Sequence, residues 1–177
     1  MRSIRRAAAF AALSSLPMLA AAAAQCPHGT TAVAVSGRAT TVNLSQTKQV
    51  GQICLTLTAA DGRELFDDCG AMIGKVVGTE ADSGTPVVAD TAVFDLLDSF
   101  QSTPHAAQVT AVLQTDADGN PCSLTTSEHT TALQYGTGIF AGATVDVFAN
   151  GSVNFCPGHN LDTYQLTGQA CVRTRRH

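Results

Sequence analysis

Basic residues are scarce in this chain: 10 Lys and Arg stand against 14 Asp and Glu in 177 residues. Three of the arginines, Arg2, Arg5 and Arg6, fall in an N-terminal segment that reads as removable, which leaves 7 basic residues and a net charge of −7. A surface of that sign repels phosphate backbones and anionic lipid, so neither nucleic acid nor a membrane surface is expected as a partner. The tail Arg173-Thr174-Arg175-Arg176-His177 is basic but short, and reads as a solvated chain end.

Catalytic and cofactor motifs are missing as well. There is no Gly-x-Ser-x-Gly elbow and no cysteine placed as a free nucleophile beside a base. Gly136-Thr137-Gly138 is followed neither by Lys-Ser/Thr nor by a helical pattern, which argues against a phosphate loop. Asp116, Asp118 and Asn120 alternate as calcium ligands do, yet the later bidentate Glu is absent, so an Asp-Gly hairpin is expected there. Cys26-Pro27-His28 and Cys156-Pro157-Gly158-His159 are each too short for a zinc finger. No cofactor and no metal is therefore expected. No internal repeat or linker divides the chain.

The N-terminus supplies a clear positive signal. A basic opening, Met1 to Arg6, precedes an alanine-rich apolar run from Ala7 to Ala24, broken by Ser14, Ser15 and Pro17. Ala22 and Ala24 fit an A-x-A cleavage site, so residues 1–24 read as a signal peptide rather than a membrane span, and the product as secreted or periplasmic. Removing 24 of 177 residues leaves 153, one domain (25–177) with enough chain to bury a core.

Six cysteines remain, Cys26, Cys54, Cys69, Cys122, Cys156 and Cys171, an even number that suggests disulfides in an exported protein. If Asp61-Gly62 makes a two-residue turn, Cys54 and Cys69 face each other across the hairpin, Leu57 faces Phe66, Leu55 faces Asp68, and Ala59 faces Glu64. Cys156 and Cys171 have the same separation and also flank a turn region. Their pairing leaves Cys26 with Cys122.

Alternation marks short strands along the whole chain. Ile53, Leu55 and Leu57 form one apolar face between Val50 and Thr58. Thr31–Val35 and Thr41–Leu44 read as strand pieces broken near Gly37, and Gly70, Gly74 and Gly78 as points where a long strand coils. Residues 91–101 have helical spacing at Val93, Leu96, Leu97 and Phe100, with Asp90 as a candidate N-cap, but the β-rich context favours a strand into Phe94 and then a loop or one helical turn. Ala106–Thr115, Cys122–Thr130 and Tyr164–Val172 continue the series. Asn150-Gly151 is a type I′ hairpin signal that would set Phe148 opposite Val153. Eight or nine short strands with turns between them indicate an all-β barrel or, alternatively, a β-sandwich.

Gly136-Thr137-Gly138-Ile139-Phe140-Ala141-Gly142-Ala143, leading into a late strand, resembles a segment of the allene oxide cyclase and dirigent-like barrels. Glycine often follows that alanine in the family, whereas this chain has Thr144. The resemblance implies an eight-stranded antiparallel barrel with a central cavity, and cofactor-free cyclisation or isomerisation as its chemistry.

Alternation places four polar groups among apolar ones: Glu64, Asp68, Glu128 and Tyr164. In a small barrel these could line a cavity for one small apolar molecule, where a buried carboxyl would hold its proton and act as a general acid. His129 adjoins Glu128, so on a strand the two point to opposite faces. The expected function is binding of such a molecule, with cyclase or isomerase activity, or else a non-catalytic binding or structural module whose interior is packed solid. The oligomeric state carries no sequence signal.

Overall fold

The structure is a computed structural model that describes residues 26–174. The signal peptide expected over residues 1–24, with residue 25, and the tail beyond Thr174 lie outside the described residues. The chain forms a closed eight-stranded antiparallel barrel with three disulfides. Its strands are β1 (Thr31–Ser45), β2 (Lys48–Ala59), β3 (Glu64–Thr79), β4 (Pro86–Val93), β5 (Ser99–Ser102), β6 (His105–Thr115), β7 (Pro121–Gly136), β8 (Thr144–Asn154) and β9 (Leu161–Val172). β5 and β6 are halves of one barrel position, separated at Thr103-Pro104, and both pair with β4 and with β7. The remaining neighbours run β4-β3-β2-β1-β9-β8-β7, which closes the ring.

Alternation builds the interior. Val33, Val35 and Ala39 of β1 and Ile53, Leu55 and Leu57 of β2 point inward and are buried, while their neighbours face solvent. Burying such side chains contributes about 1.5–3 kcal/mol each relative to exposure. One end of the barrel is plugged. Gly138, at φ 55°, turns the chain inward, the Asp98 carboxylate accepts the Ile139 N–H at 2.8 Å, and Ile139 and Phe140 drop into the opening. Phe66, Phe94 and Phe100 surround Phe140 with ring centroids 5.2–5.5 Å from it. The glycine-rich bend expected at 136–142 is thus the hinge of this plug. At the opposite, open end β6 runs past its neighbour: β4 pairs with it only through Val87↔Ala106 and Val88↔His105.

Several local expectations are corrected. β1 is unbroken at Gly37, which pairs with Leu55 and gives that side chain room. Asn150-Gly151 lies inside β8, and Phe148 pairs with His129 and Thr167 rather than with Val153. Gly151 is needed for another reason. A Cβ there would lie 2.1 Å from the Thr163 carbonyl oxygen and 2.6 Å from the Tyr164 ring. Residues 94–98 form a loop with no helix, as the β-rich context suggested.

The Cys54–Cys69 bridge forms as the hairpin register requires. The turn, however, spans Ala60–Gly62, with Ala59 N–H bonded to the Arg63 carbonyl, and a bulge at Leu65 restores the register so that Leu57 still meets Phe66. That bulge sets Glu64 opposite Thr58 instead of Ala59. The other two bridges are Cys26–Cys171 and Cys122–Cys156, not Cys156–Cys171 and Cys26–Cys122. Cys156 precedes β9 and Cys171 ends it, so about ten strand residues, some 35 Å, hold them apart. Cys156 instead follows β8 where that strand lies against the start of β7 at Cys122. Three disulfides fit an oxidising environment, extracellular or periplasmic. Among the described residues no helix is long and apolar enough to cross a membrane.

Candidate functional site

Two cavities lie along the barrel axis. The deep one, about 80 Å³, abuts the plug and is walled by Val35, Leu57, Leu133, Phe140 and other apolar side chains. The outer one, about 330 Å³, opens between the turns at Gln46-Thr47 and the strand starts at Pro86 and Pro121. Gln49, Glu128 and Tyr164 border both, so they form a polar floor to the outer cavity and a polar roof to the deep one.

Each floor residue is delivered by strand alternation. Glu128 follows Thr126 on the inner face of β7, and Tyr164 follows Asp162 on the inner face of β9; Glu128 is 7 % exposed and Tyr164 4 %. Gly151 lies directly opposite Tyr164 and gives its ring space. The Tyr164 hydroxyl lies 3.3 Å from Gln49 Nε2, and Thr41 hydrogen-bonds the Gln49 carbonyl oxygen. Burial, then the charge of Glu128, raises the Tyr164 pKa well above the ordinary phenol value, so it stays a neutral hydroxyl.

Two further residues lie against Glu128. Asp90, between the inward Val88 and Ala92 of β4, borders the deep cavity. His105 opens β6 just after Pro104, and its Nδ1 lies 3.0 Å from the Thr103 carbonyl oxygen. A carbonyl only accepts, so Nδ1 carries the hydrogen and Nε2 faces the cluster. Nε2 is 3.4 Å from Glu128 Oε2 and 3.7 Å from Asp90 Oδ2. Burial, reinforced by the charge of Glu128 and opposed by His105, pushes the Asp90 pKa up to about 7. For His105 burial works against the charged form, but the hydrogen bond to Glu128, the Thr103 carbonyl and the two carboxylate charges outweigh it and raise the pKa.

Neighbouring polar groups have structural duties. Asp162, fully buried, accepts the Asn154 N–H at 2.8 Å and Asn43 Nδ2 at 2.9 Å, fastening β1, β8 and β9 at the open end. Burial still raises its pKa, against those hydrogen bonds. Thr126 differs: its Oγ1 is buried beside the outer cavity with no hydrogen-bond partner.

Of the four residues singled out in the sequence, the structure brings Glu128 and Tyr164 together at the cavity. Glu64 and Asp68 lie apart and exposed. The bulge turns Glu64 outward. Asp68 is opposite Leu55, but β3–β4 pairing starts only at Ala71, so nothing covers Asp68, and it accepts the Cys69 N–H at 2.7 Å. His129 points outward as expected and bonds Asp146 at 2.6 Å. Asp116 caps its hairpin, accepting the N–H groups of Asp118 and Asn120 at 2.9 and 2.8 Å. Sequence reasoning missed Asp90, taken there as a helix cap, and His105. The Val88-x-Asp90-x-Ala92 alternation was the available signal for Asp90; none marked His105.

No family model, curated protein or solved structure matches this chain.

Proposed function

We propose that this chain is an exported barrel that binds one small, largely apolar molecule and guides its cyclisation or isomerisation, in the manner of the allene oxide cyclase and dirigent-like barrels. The observation that carries this reading is the polar floor that Glu128, Tyr164 and Gln49 form between the two cavities, with Asp90 beside them, above a deep cavity lined mostly by apolar side chains. An outer cavity of about 330 Å³ falls within the ordinary range for small-molecule sites. Apolar walls hold the body of the molecule in one folded conformer, and the floor meets its single polar end. Such reactions need no second substrate, and confinement of a reactive conformer is itself a large part of their catalysis. A solid interior would have favoured a structural module; two cavities separated by convergent polar groups favour binding.

The test is native mass spectrometry of the oxidised mature protein taken from its own secretion medium, with the solvent extract analysed alongside. A bound molecule released on denaturation is expected, and Ala107→Trp, which intrudes on the outer cavity, should reduce its occupancy. A bare mass, with an empty extract and no binding of an apolar fluorescent probe, would sink the reading.

A further inference from the structure

We infer that Asp90, His105 and Glu128 form a divalent-metal site at the cavity floor, taking a first-row cation such as zinc. The ligand atoms these three residues offer all lie within 4.8 Å of one another. The Nε2-to-oxygen separations of 3.4 and 3.7 Å exceed the usual 2.7–3.2 Å of an N–H···O bond. They are close to the distance between ligands around a tetrahedral ion with bonds of about 2.0–2.1 Å, whose edge is about 3.4 Å. The long His105–Glu128 hydrogen bond can therefore give way to an ion shared by the three side chains.

Three other observations agree. His105 donates Nδ1–H to a backbone carbonyl, the outer contact that fixes a metal-bound imidazole with Nε2 toward the ion. Two buried carboxylates face one imidazole, and among the described residues no lysine or arginine makes an ion pair with either. A dication there would meet oxygen ligands with no lysine or arginine competing for them. Independently, Thr126 Oγ1 is buried without a partner beside the outer cavity that Glu128 borders, so it is available to a water or ligand atom in that cavity.

The donor set narrows the metal. All six cysteines are in disulfides, leaving one nitrogen and carboxylate oxygens, which suit zinc, manganese or ferrous iron rather than a thiophilic ion. Three protein ligands leave a position open to the cavity. Only the use of that position, to meet the polar end of a bound molecule, rests on the proposed function; the metal itself does not. The ligands stand at 90, 105 and 128, on three strands, with none of the spacing of a metal motif.

The experiment is titration calorimetry of zinc chloride into the disulfide-bonded mature protein, first stripped with EDTA and dialysed. One site per chain is expected, with a rise in melting temperature. Asp90→Asn and His105→Gln should each weaken binding at least tenfold, while His129→Gln, on the outer face, should leave it unchanged. The absence of saturable one-to-one binding, or variants that bind as tightly as the parent, would overturn the inference. If the variants fail to fold, the imidazole nitrogen resonances of the parent decide. A zinc-induced shift at His105 Nε2 supports the site, and an unmoved His105 rejects it. The titration uses ligand-free protein, so zinc binding without a recovered small molecule would refute the cavity reading alone, and the converse would refute the metal alone.

Discussion

Removing the disulfides one at a time should destabilise the barrel in the order of the loops they close. The bridges span 145, 34 and 15 residues for Cys26–Cys171, Cys122–Cys156 and Cys54–Cys69. The chain-entropy relation gives about 5, 4 and 3 kcal/mol for these at 25 °C. Native contacts sharpen the ranking. Cys171, Cys122 and Cys156 are buried, so their replacement also loosens packing, whereas Cys54 and Cys69 lie in a hairpin already held by its own turn. Paired Cys→Ala variants avoid burying a new hydroxyl. Equilibrium urea unfolding reads the outcome as a drop in stability extrapolated to water, with a steeper slope as the uncrosslinked unfolded chain exposes more surface. A domain with about 5–15 kcal/mol in total should be left marginal by the loss of Cys26–Cys171. If Cys54→Ala/Cys69→Ala proved as costly as Cys26→Ala/Cys171→Ala, the loop-length argument would be refuted.

Gly151→Ala should cost about 1–3 kcal/mol, as overpacking does, because the new methyl meets Thr163 and Tyr164; an unchanged thermal melt and an unchanged Tyr164 ring resonance would contradict the close approach described. Thr126→Val should leave stability nearly unchanged or slightly higher, since the hydroxyl it removes has no partner; a loss above about 1 kcal/mol in urea unfolding would reveal a bond made in solution. The Asp116 carboxyl is held below its ordinary pKa, chiefly by the Asn120 N–H. Its contribution to hairpin order is therefore present above the ordinary carboxylate range and lost as pH falls through the lowered value, which amide exchange at Asp118 and Asn120 should follow.

The fold was legible because alternation is a local property: Ile53, Leu55 and Leu57 announce an inward face whatever surrounds them. Glycine was harder to read. Gly138 does turn the chain, whereas Gly151 keeps its strand straight and gives space to a neighbour, and that neighbour is Tyr164, thirteen residues on. An Asn-Gly pair looks the same in either setting. Cysteine pairing depended on which strand ends coincide, so only the pair joined by a short hairpin could be inferred. Glu128 and Tyr164 could be picked out by strand alternation, although their inner faces also carry Thr126, Thr130 and Asp162. Asp90 and His105 acquire meaning only when the ring closes through β4, β6 and β7, and closure is not written in any local stretch.

The aromatic plug makes the barrel a blind vessel. A molecule bound as proposed, reaching the floor through the outer cavity, would have to leave by the way it came, and that cavity, at about 330 Å³, would leave it little room to turn round. The end that enters first therefore stays nearest the floor, so orientation is decided at the rim before any contact with Glu128 or Tyr164 is made. On the proposed reading, arrival and departure would share one passage, so a bound molecule would exclude its successor until it had left.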